Sequence, residues 1–290
     1  MLKESGPLLI AANHPNSFLD AIILSTLFKA PVHSLARGDA FAGKWITRFL
    51  KSINMLPVYR VSEGVENLDH NYSTFDACQK LFEENKIVLI FSEGRCINEW
   101  HLRPLKKGTA RLALVAWQHN TPLKVLPLGI NYSSFRKFGK NVHLNFGEII
   151  EQKDMYEDLA SGKAIKEFNG KLDSQLKDLV YEIDKNDQEK LKTYFYVNQP
   201  LLKKLLLFIP AVFGFIMNMP FYFLSHLIIK DRAKDHYDSV MTAILFFFYP
   251  LYVLAITLVI FFITKSLYAL LLLILMPFAL WSYLQLKKQI

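Results

Sequence analysis

Short apolar runs alternate with longer stretches of mixed polarity through the first 150 residues. Pro7–Ala12 (PLLIAA), Val32–Ala36, Met55–Tyr59, Ile87–Phe91, Lys124–Ile130 and Val142–Phe146 have the length and apolar character of strands. Between them, Ser17–Phe28, Phe41–Ile53, Asn67–Glu84 and Thr109–His119 carry apolar positions at helical spacing, as in Phe41, Trp45, Phe49 and Leu50. Strands alternating with helices predict an α/β domain with a largely parallel or mixed central sheet flanked by helices. The pattern then changes twice. Residues 151–200 intersperse Lys with Asp and Glu, which predicts a solvated helical linker. Residues 201–290 are dominated by three uncharged apolar runs: 205–229, 240–264 and 266–286.

Each run is long enough to cross a hydrocarbon core of about 30 Å at 1.5 Å per helical residue. The last two, separated only by Lys265, predict a transmembrane hairpin. The first run contains Pro210 and Pro220. If the hairpin alone spans, Lys203, Lys204, Lys230, Arg232, Lys234, Lys287 and Lys288 share one side and only Lys265 lies opposite. The preference for basic residues on the cytoplasmic side therefore predicts that 205–229 is interfacial or re-entrant. The expected organisation is a catalytic domain over 1–150, a linker over 151–200 and a membrane region over 201–290. The catalytic domain is placed on the cytoplasmic face.

Charge supports this division. Residues 1–200 hold 26 basic and 23 acidic residues, whereas residues 201–290 hold eight basic and three acidic ones. A basic excess that flanks apolar runs fits a membrane protein and not the single cationic face of a nucleic-acid binder. Two cysteines, Cys78 and Cys96, are too few for a disulfide scaffold. Nothing at Met1 resembles a signal peptide.

In such a sheet, chemistry belongs at loops leaving the carboxyl ends of strands. Asn13-His14-Pro15-Asn16-Ser17-Phe18-Leu19-Asp20 follows the first strand. An imidazole can take a proton from a hydroxyl if its other nitrogen donates to a carboxylate. Residues six apart lie about 240° apart around a helix, so His14 meets Asp20 only from a preceding loop. Pro15 favours that, because the residue before proline avoids the helical region. The structural alternative is a capping box, in which Ser17 and Asp20 serve the helix N-terminus. Cations stand at the other strand ends: Arg37 after the second, Arg60 after the third, and Arg95 in Ser92-Glu93-Gly94-Arg95 after the fourth. Guanidinium forks converging there suit a phosphate, although each arginine alone is equally an ordinary surface ion-pair residue. Gly94 permits a tight turn that turns Glu93 and Arg95 into the cleft. Signatures of serine hydrolases, zinc proteases and P-loops are missing from the sequence.

Asn-His…Asp, Pro57-Val58-x-Arg60, Phe91-x-Glu93-Gly94 and Val125-Leu126-Pro127-Leu128 stand in the order of four blocks of the glycerolipid acyltransferases. The chain resembles this PlsC-like family of glycerol-3-phosphate and 1-acylglycerol-3-phosphate O-acyltransferases over about residues 6–150. The resemblance implies a membrane-associated enzyme that moves a fatty acyl group from acyl-CoA or acyl carrier protein to a glycerol phosphate hydroxyl. The acyl donor is a co-substrate, and no metal or organic cofactor is implied. It also implies His14 as general base and Asp20 as its orienting partner. Arg60, Glu93, Gly94 and Arg95 match acceptor-binding positions, Arg37 is assigned to phosphate, and Pro127 shapes the acyl site. Cys96 adjoins the third block and is expected to be a small buried residue.

Three departures stand out. Five residues, not four, separate His14 from Asp20, as in members related to fungal glycerol-3-phosphate acyltransferases. The third block has Ser92 in place of Pro and lacks the Thr. The chain begins almost at the first block, so either its start is truncated or the C-terminal hairpin has taken over anchoring. The expected reaction makes phosphatidic acid from 1-acylglycerol-3-phosphate. The alternatives are glycerol-3-phosphate acylation and a membrane lipid-binding protein with a decayed site.

Overall fold

The computed structural model describes residues 6–59, 70–231 and 236–287. The chain divides into two compact units, one of residues 1–131 with 143–182, the other of 132–142 with 183–290.

In the first unit the strands are β1 (Leu8–Ala12), β2 (Val32–Arg37), β3 (Met55–Val58), β4 (Ile87–Phe91), β5 (Lys124–Tyr132) and β6 (Val142–Phe146). They form one sheet in the order β3-β2-β4-β1-β5-β6. β1 pairs in parallel with β4 and β5, and β2 with β3 and β4. An antiparallel bridge joins Val125 to Ile150 beyond β6, so the sheet is mixed, as the alternation of elements predicts. The helices are α1 (Phe18–Leu27), α2 (Lys44–Ser52), α3 (His70–Glu83), α4 (Gly108–Gln118) and α5 (Gly162–Leu179). β1 is buried at all five positions, as a central parallel strand covered on both faces must be.

The core corrects the expectation for 151–200. Ala164, Phe168, Leu172 and Leu176 of α5 are fully buried in the same cluster as Leu9, Val88, Phe82, Leu112 and Trp117. Their four-residue spacing puts them on one face of the helix, while its Lys, Asp and Glu residues stay on the other. The α5 segment is therefore structural core and not a solvated linker. Farther on, α6 (Gln188–Phe195) also buries Leu191 and Phe195.

The second unit contains α7 (Leu201–Ile229), α8 (Tyr237–Thr264) and α9 (Leu272–Leu286). Three helices here, Leu201–Ile229, Tyr237–Thr264 and Leu267–Leu286, are long and apolar enough to cross a membrane. Pro210 and Pro220 do not break α7, which stays helical through 29 residues. Lys265 closes α8 in the left-handed conformation with φ 54°. Lys140 pairs with Asp238 at the start of α8, and Lys287, just after α9, donates to the Phe138 carbonyl. The start of α8 and the end of α9 thus meet the same segment, 132–142, and Lys265 stands at the far end of the pair. Both ends of α7 are tied to those same two ends. Lys203 donates to Gln285, and Ile229 is buried with Tyr237 and Met241. At mid-helix, a Cβ on Gly214 would lie 2.1 Å from the Ala279 carbonyl oxygen, so only glycine allows α7 and α9 to approach this closely.

Candidate active site

The register pairs Ala12 of β1 with Phe91 of β4, so the loops leaving these neighbouring strands start side by side. Their onward connections run in opposite directions along the sheet, to β2 and to β5, which opens a crevice at these carboxyl ends. Asn13 fixes the start of the first loop. It is buried, its amide donates to the Ile130 carbonyl at 3.1 Å, and its Oδ1 accepts the Ile130 N–H at 2.7 Å.

His14 follows. Its Nδ1 lies 2.9 Å from Asp20 Oδ2, with side-chain exposures of 16% and 0%. The carboxylate only accepts, so Nδ1 carries the hydrogen and Nε2 presents its lone pair. Asp20 sits in the first turn of α1 and reaches back, as the six-residue offset requires. Its Oδ2 also accepts the Asn16 N–H at 2.8 Å. The Ser17 side chain makes no capping bond, so the capping-box alternative is not what the structure adopts. Ser17 instead has φ 56° and ψ −137°, a conformation normally left to glycine, stored at the turn that aims Asp20 at His14. The imidazole is also held from the side: it stacks on Phe91, with ring centroids 3.8 Å apart and planes 10° from parallel.

The second loop clamps the first. Glu93 Oε2 accepts the His14 backbone N–H at 2.9 Å, and Oε1 accepts the Arg103 N–H at 2.9 Å. Burial pushes the Glu93 carboxyl above its usual range, against the opposing pull of these two N–H donors. The Asn98 amide donates to the Pro15 carbonyl at 2.7 Å, and the Ser17 N–H to Cys96 Sγ at 2.9 Å. Gly94 has φ +64°, and a Cβ there would also meet Lys106 Cγ at 3.0 Å.

Residues 1–131 match the sequence profile of the Acyltransferase family. Over 184 residues the chain is 29% identical to the 1-acyl-sn-glycerol-3-phosphate acyltransferase of Bacillus subtilis, covering 63% of this chain and 86% of that protein. The matched region has the sequence of an acyltransferase domain. The chain is an O-acyltransferase. Among solved structures, the 1-acyl-sn-glycerophosphate (LPA) acyltransferase PlsC of Thermotoga maritima aligns with TM-score 0.40 and 16% identity. That alignment covers 62% of this chain and 67% of that one.

Within the acyltransferase domain, the expected site residues divide. His14, Asp20 and Glu93 form one contact network, and Gly94 makes the turn that follows Glu93. Each Glu93 oxygen accepts one backbone N–H, from His14 and from Arg103. Arg95 is exposed at the mouth of the same loop. Arg37 forks onto Asp39, donating from Nε at 3.0 Å to Oδ1 and from a terminal nitrogen to Oδ2. Arg60 lies outside the described residues. Pro127 is inside β5, paired with Ala11. Cys96 is half-buried, less enclosed than expected. Sequence reasoning passed over Asn13, Asn98 and the Phe91 ring. Asn13 stands beside His14 in the first block, and that adjacency was the available signal. Asn98 acts across 83 positions, with no local pattern to mark it.

Proposed function

We propose that the chain transfers a fatty acyl group from acyl-CoA or acyl carrier protein to the free hydroxyl of 1-acylglycerol-3-phosphate, making phosphatidic acid. The observation that carries this reading is the His14–Asp20 contact, made through Nδ1 to a fully buried carboxylate. His14 Nε2 removes the hydroxyl proton as the oxygen attacks the thioester carbonyl. The carbon–oxygen bond forms, and the tetrahedral intermediate collapses with loss of the thiolate. The imidazolium then returns the proton to the sulfur. Asp20 stabilises the imidazolium while it exists. A thioester is already activated, so this route uses only the chain's own residues and the two substrates.

The phosphate is assigned to Arg95, with Arg60 and Arg37 as further candidates, and Gly94 provides the turn that presents Arg95. Glu93 is proposed as a positioning residue that holds the His14 backbone. The α8–α9 pair is proposed as a membrane hairpin with Lys265 on the far side, α7 as its interfacial companion, and the catalytic domain on the cytoplasmic face.

Glycerol-3-phosphate is the second acceptor to consider, favoured by the five residues between His14 and Asp20. A decayed lipid-binding protein has no need to keep the imidazole within hydrogen-bond reach of Asp20. The test supplies the purified, lipid-embedded protein with labelled palmitoyl-CoA or palmitoyl-acyl carrier protein and each acceptor separately. Transfer to 1-acylglycerol-3-phosphate, abolished by His14→Ala, is expected. Transfer only to glycerol-3-phosphate would replace the acceptor, and no transfer with either donor would sink the enzyme reading.

A further inference from the structure

Helix α2 is built unlike the others of its unit: none of its residues is buried. Trp45 is 82% exposed, Ile46 51%, Phe49 58% and, just past the helix, Ile53 38%. At about 100° per residue these four fall within one sector of about 100°. Lys44, Arg48 and Lys51 fall in a second sector on the opposite side. Thr47 and Leu50, both half-buried, lie between the two sectors, and Thr47 donates to the Phe41 carbonyl at 2.8 Å. The helix therefore rests on its own unit through a narrow edge and displays both its apolar and its cationic sides. Ordinary surface helices turn the apolar face inward. Residues 40–62 hold four basic residues and no acidic one.

We propose that α2 is a second membrane contact, in the catalytic unit itself, which lies in the interface of an anionic phospholipid surface. Trp45, Ile46, Phe49 and Ile53 enter the boundary between headgroups and acyl chains. Lys44, Arg48 and Lys51 stay at the headgroups and meet their phosphates. The chemistry favours lipid over an acidic protein partner. The outermost side chain is a tryptophan, whose amphipathic ring suits the bilayer interface, and the Arg48 guanidinium stands 5.7 Å from its ring centre. The basic side chains lie across the helix from the apolar sector, and their long stems let them reach headgroups as it submerges. This contact is independent of α7–α9 and of which acceptor is acylated. It would hold the domain that must reach a membrane-dissolved substrate against the membrane surface.

The test uses the full chain in vesicles, with Cys96→Ser removing the half-exposed thiol and Cys78 fully buried. A nitroxide is attached at Phe49→Cys or Ile46→Cys, and at Lys51→Cys on the opposite side. Collision rates with oxygen and with a water-soluble nickel chelate report immersion. In phosphatidylglycerol-rich vesicles, labels at 46 and 49 are expected to lose nickel access and gain oxygen access several-fold relative to the label at 51. The effect should weaken in pure phosphatidylcholine. Equal nickel access at 49 and 51 in anionic vesicles overturns the proposal. Equal protection in both lipids overturns the anionic preference. Protection that appears only after acidic acyl carrier protein is added assigns the face to a protein instead. Unchanged melting of each labelled variant certifies that the fold is intact.

Discussion

Two pairs of a nitrogen base and a carboxylate stand at the ends of neighbouring regions of one sheet, and they are built in opposite ways. After β1, His14 meets an Asp20 that is fully buried. After β2, Arg37 meets Asp39 with exposures of 48% and 50%. The first pair is restrained from every side: Asp20 also holds the Asn16 N–H, Phe91 stacks on the imidazole, and Glu93 holds the His14 backbone. The second pair spans two residues on the surface and competes with water. An exposed pair fixes little, because both side chains lose rotamer freedom for a screened attraction. A buried acceptor with several donors fixes a tautomer and an orientation, which proton transfer requires. A chemical site is thus marked by how completely its partners are committed, more than by the presence of charge.

The largest effect should come from Asp20→Asn. The amide keeps the shape but not the charge. Because the Asn16 N–H and His14 Nδ1 both meet Oδ2, it keeps these contacts only with its single oxygen in that place; with its NH2 there it faces both. In that second orientation the ring hydrogen moves to Nε2 and the base is lost. A fall in kcat of about 10³- to 10⁴-fold is expected, comparable to the loss when a protease triad carboxylate is changed in the same way. Melting should change far less than activity. A loss below about tenfold would mean that Asp20 serves the turn alone.

Glu93→Gln should come next. One of the two backbone N–H donors, from His14 or Arg103, then faces an amide NH2, and an unmet buried donor costs about 1–3 kcal/mol. If half of that reaches the transition state, kcat falls by about three- to tenfold while KM for the acceptor stays near its original value. A rise in KM with unchanged kcat would return Glu93 to the substrate. The same variant has a pH signature. Because burial raises the folded-state pKa of Glu93, the folded form keeps its proton longer than the unfolded one. Wild-type stability should therefore fall as pH rises from the unfolded glutamate pKa to the raised folded value. Melting curves across that window should show this slope in the wild type and lose it in Glu93→Gln.

How legible this contrast was depends on the range of the interaction. The six strands stood out because each apolar run is short and punctuated, and His14 with Asp20 because a proline and a helix start lie between them. The core role of α5 was hidden because its Lys and Asp residues dominate the count, while Ala164, Phe168, Leu172 and Leu176 bury only one stripe. The clamp by Glu93 was hidden for a different reason. It joins positions 79 apart through a backbone N–H, and no side-chain pattern advertises a backbone donor. For Arg37, the competing carboxylate two residues on was in plain view. Sequence alone gives no way to decide whether a fork points at a neighbour or at a ligand.

The smallest effect should therefore be at Arg37. Arg37→Ala removes a half-exposed pair, so the stability change should lie within about 0–1 kcal/mol and shrink further at high salt. The more telling number is KM for the anionic acceptor, measured for Arg37→Ala beside Arg95→Ala. Arg95→Ala should raise it more, because the Arg37 charge is already answered by Asp39. If the two rise equally, Asp39 must release the guanidinium when substrate binds. The exposed pair would then be a reserve of positive charge for the site, and Asp39→Asn should lower KM by setting it free in advance.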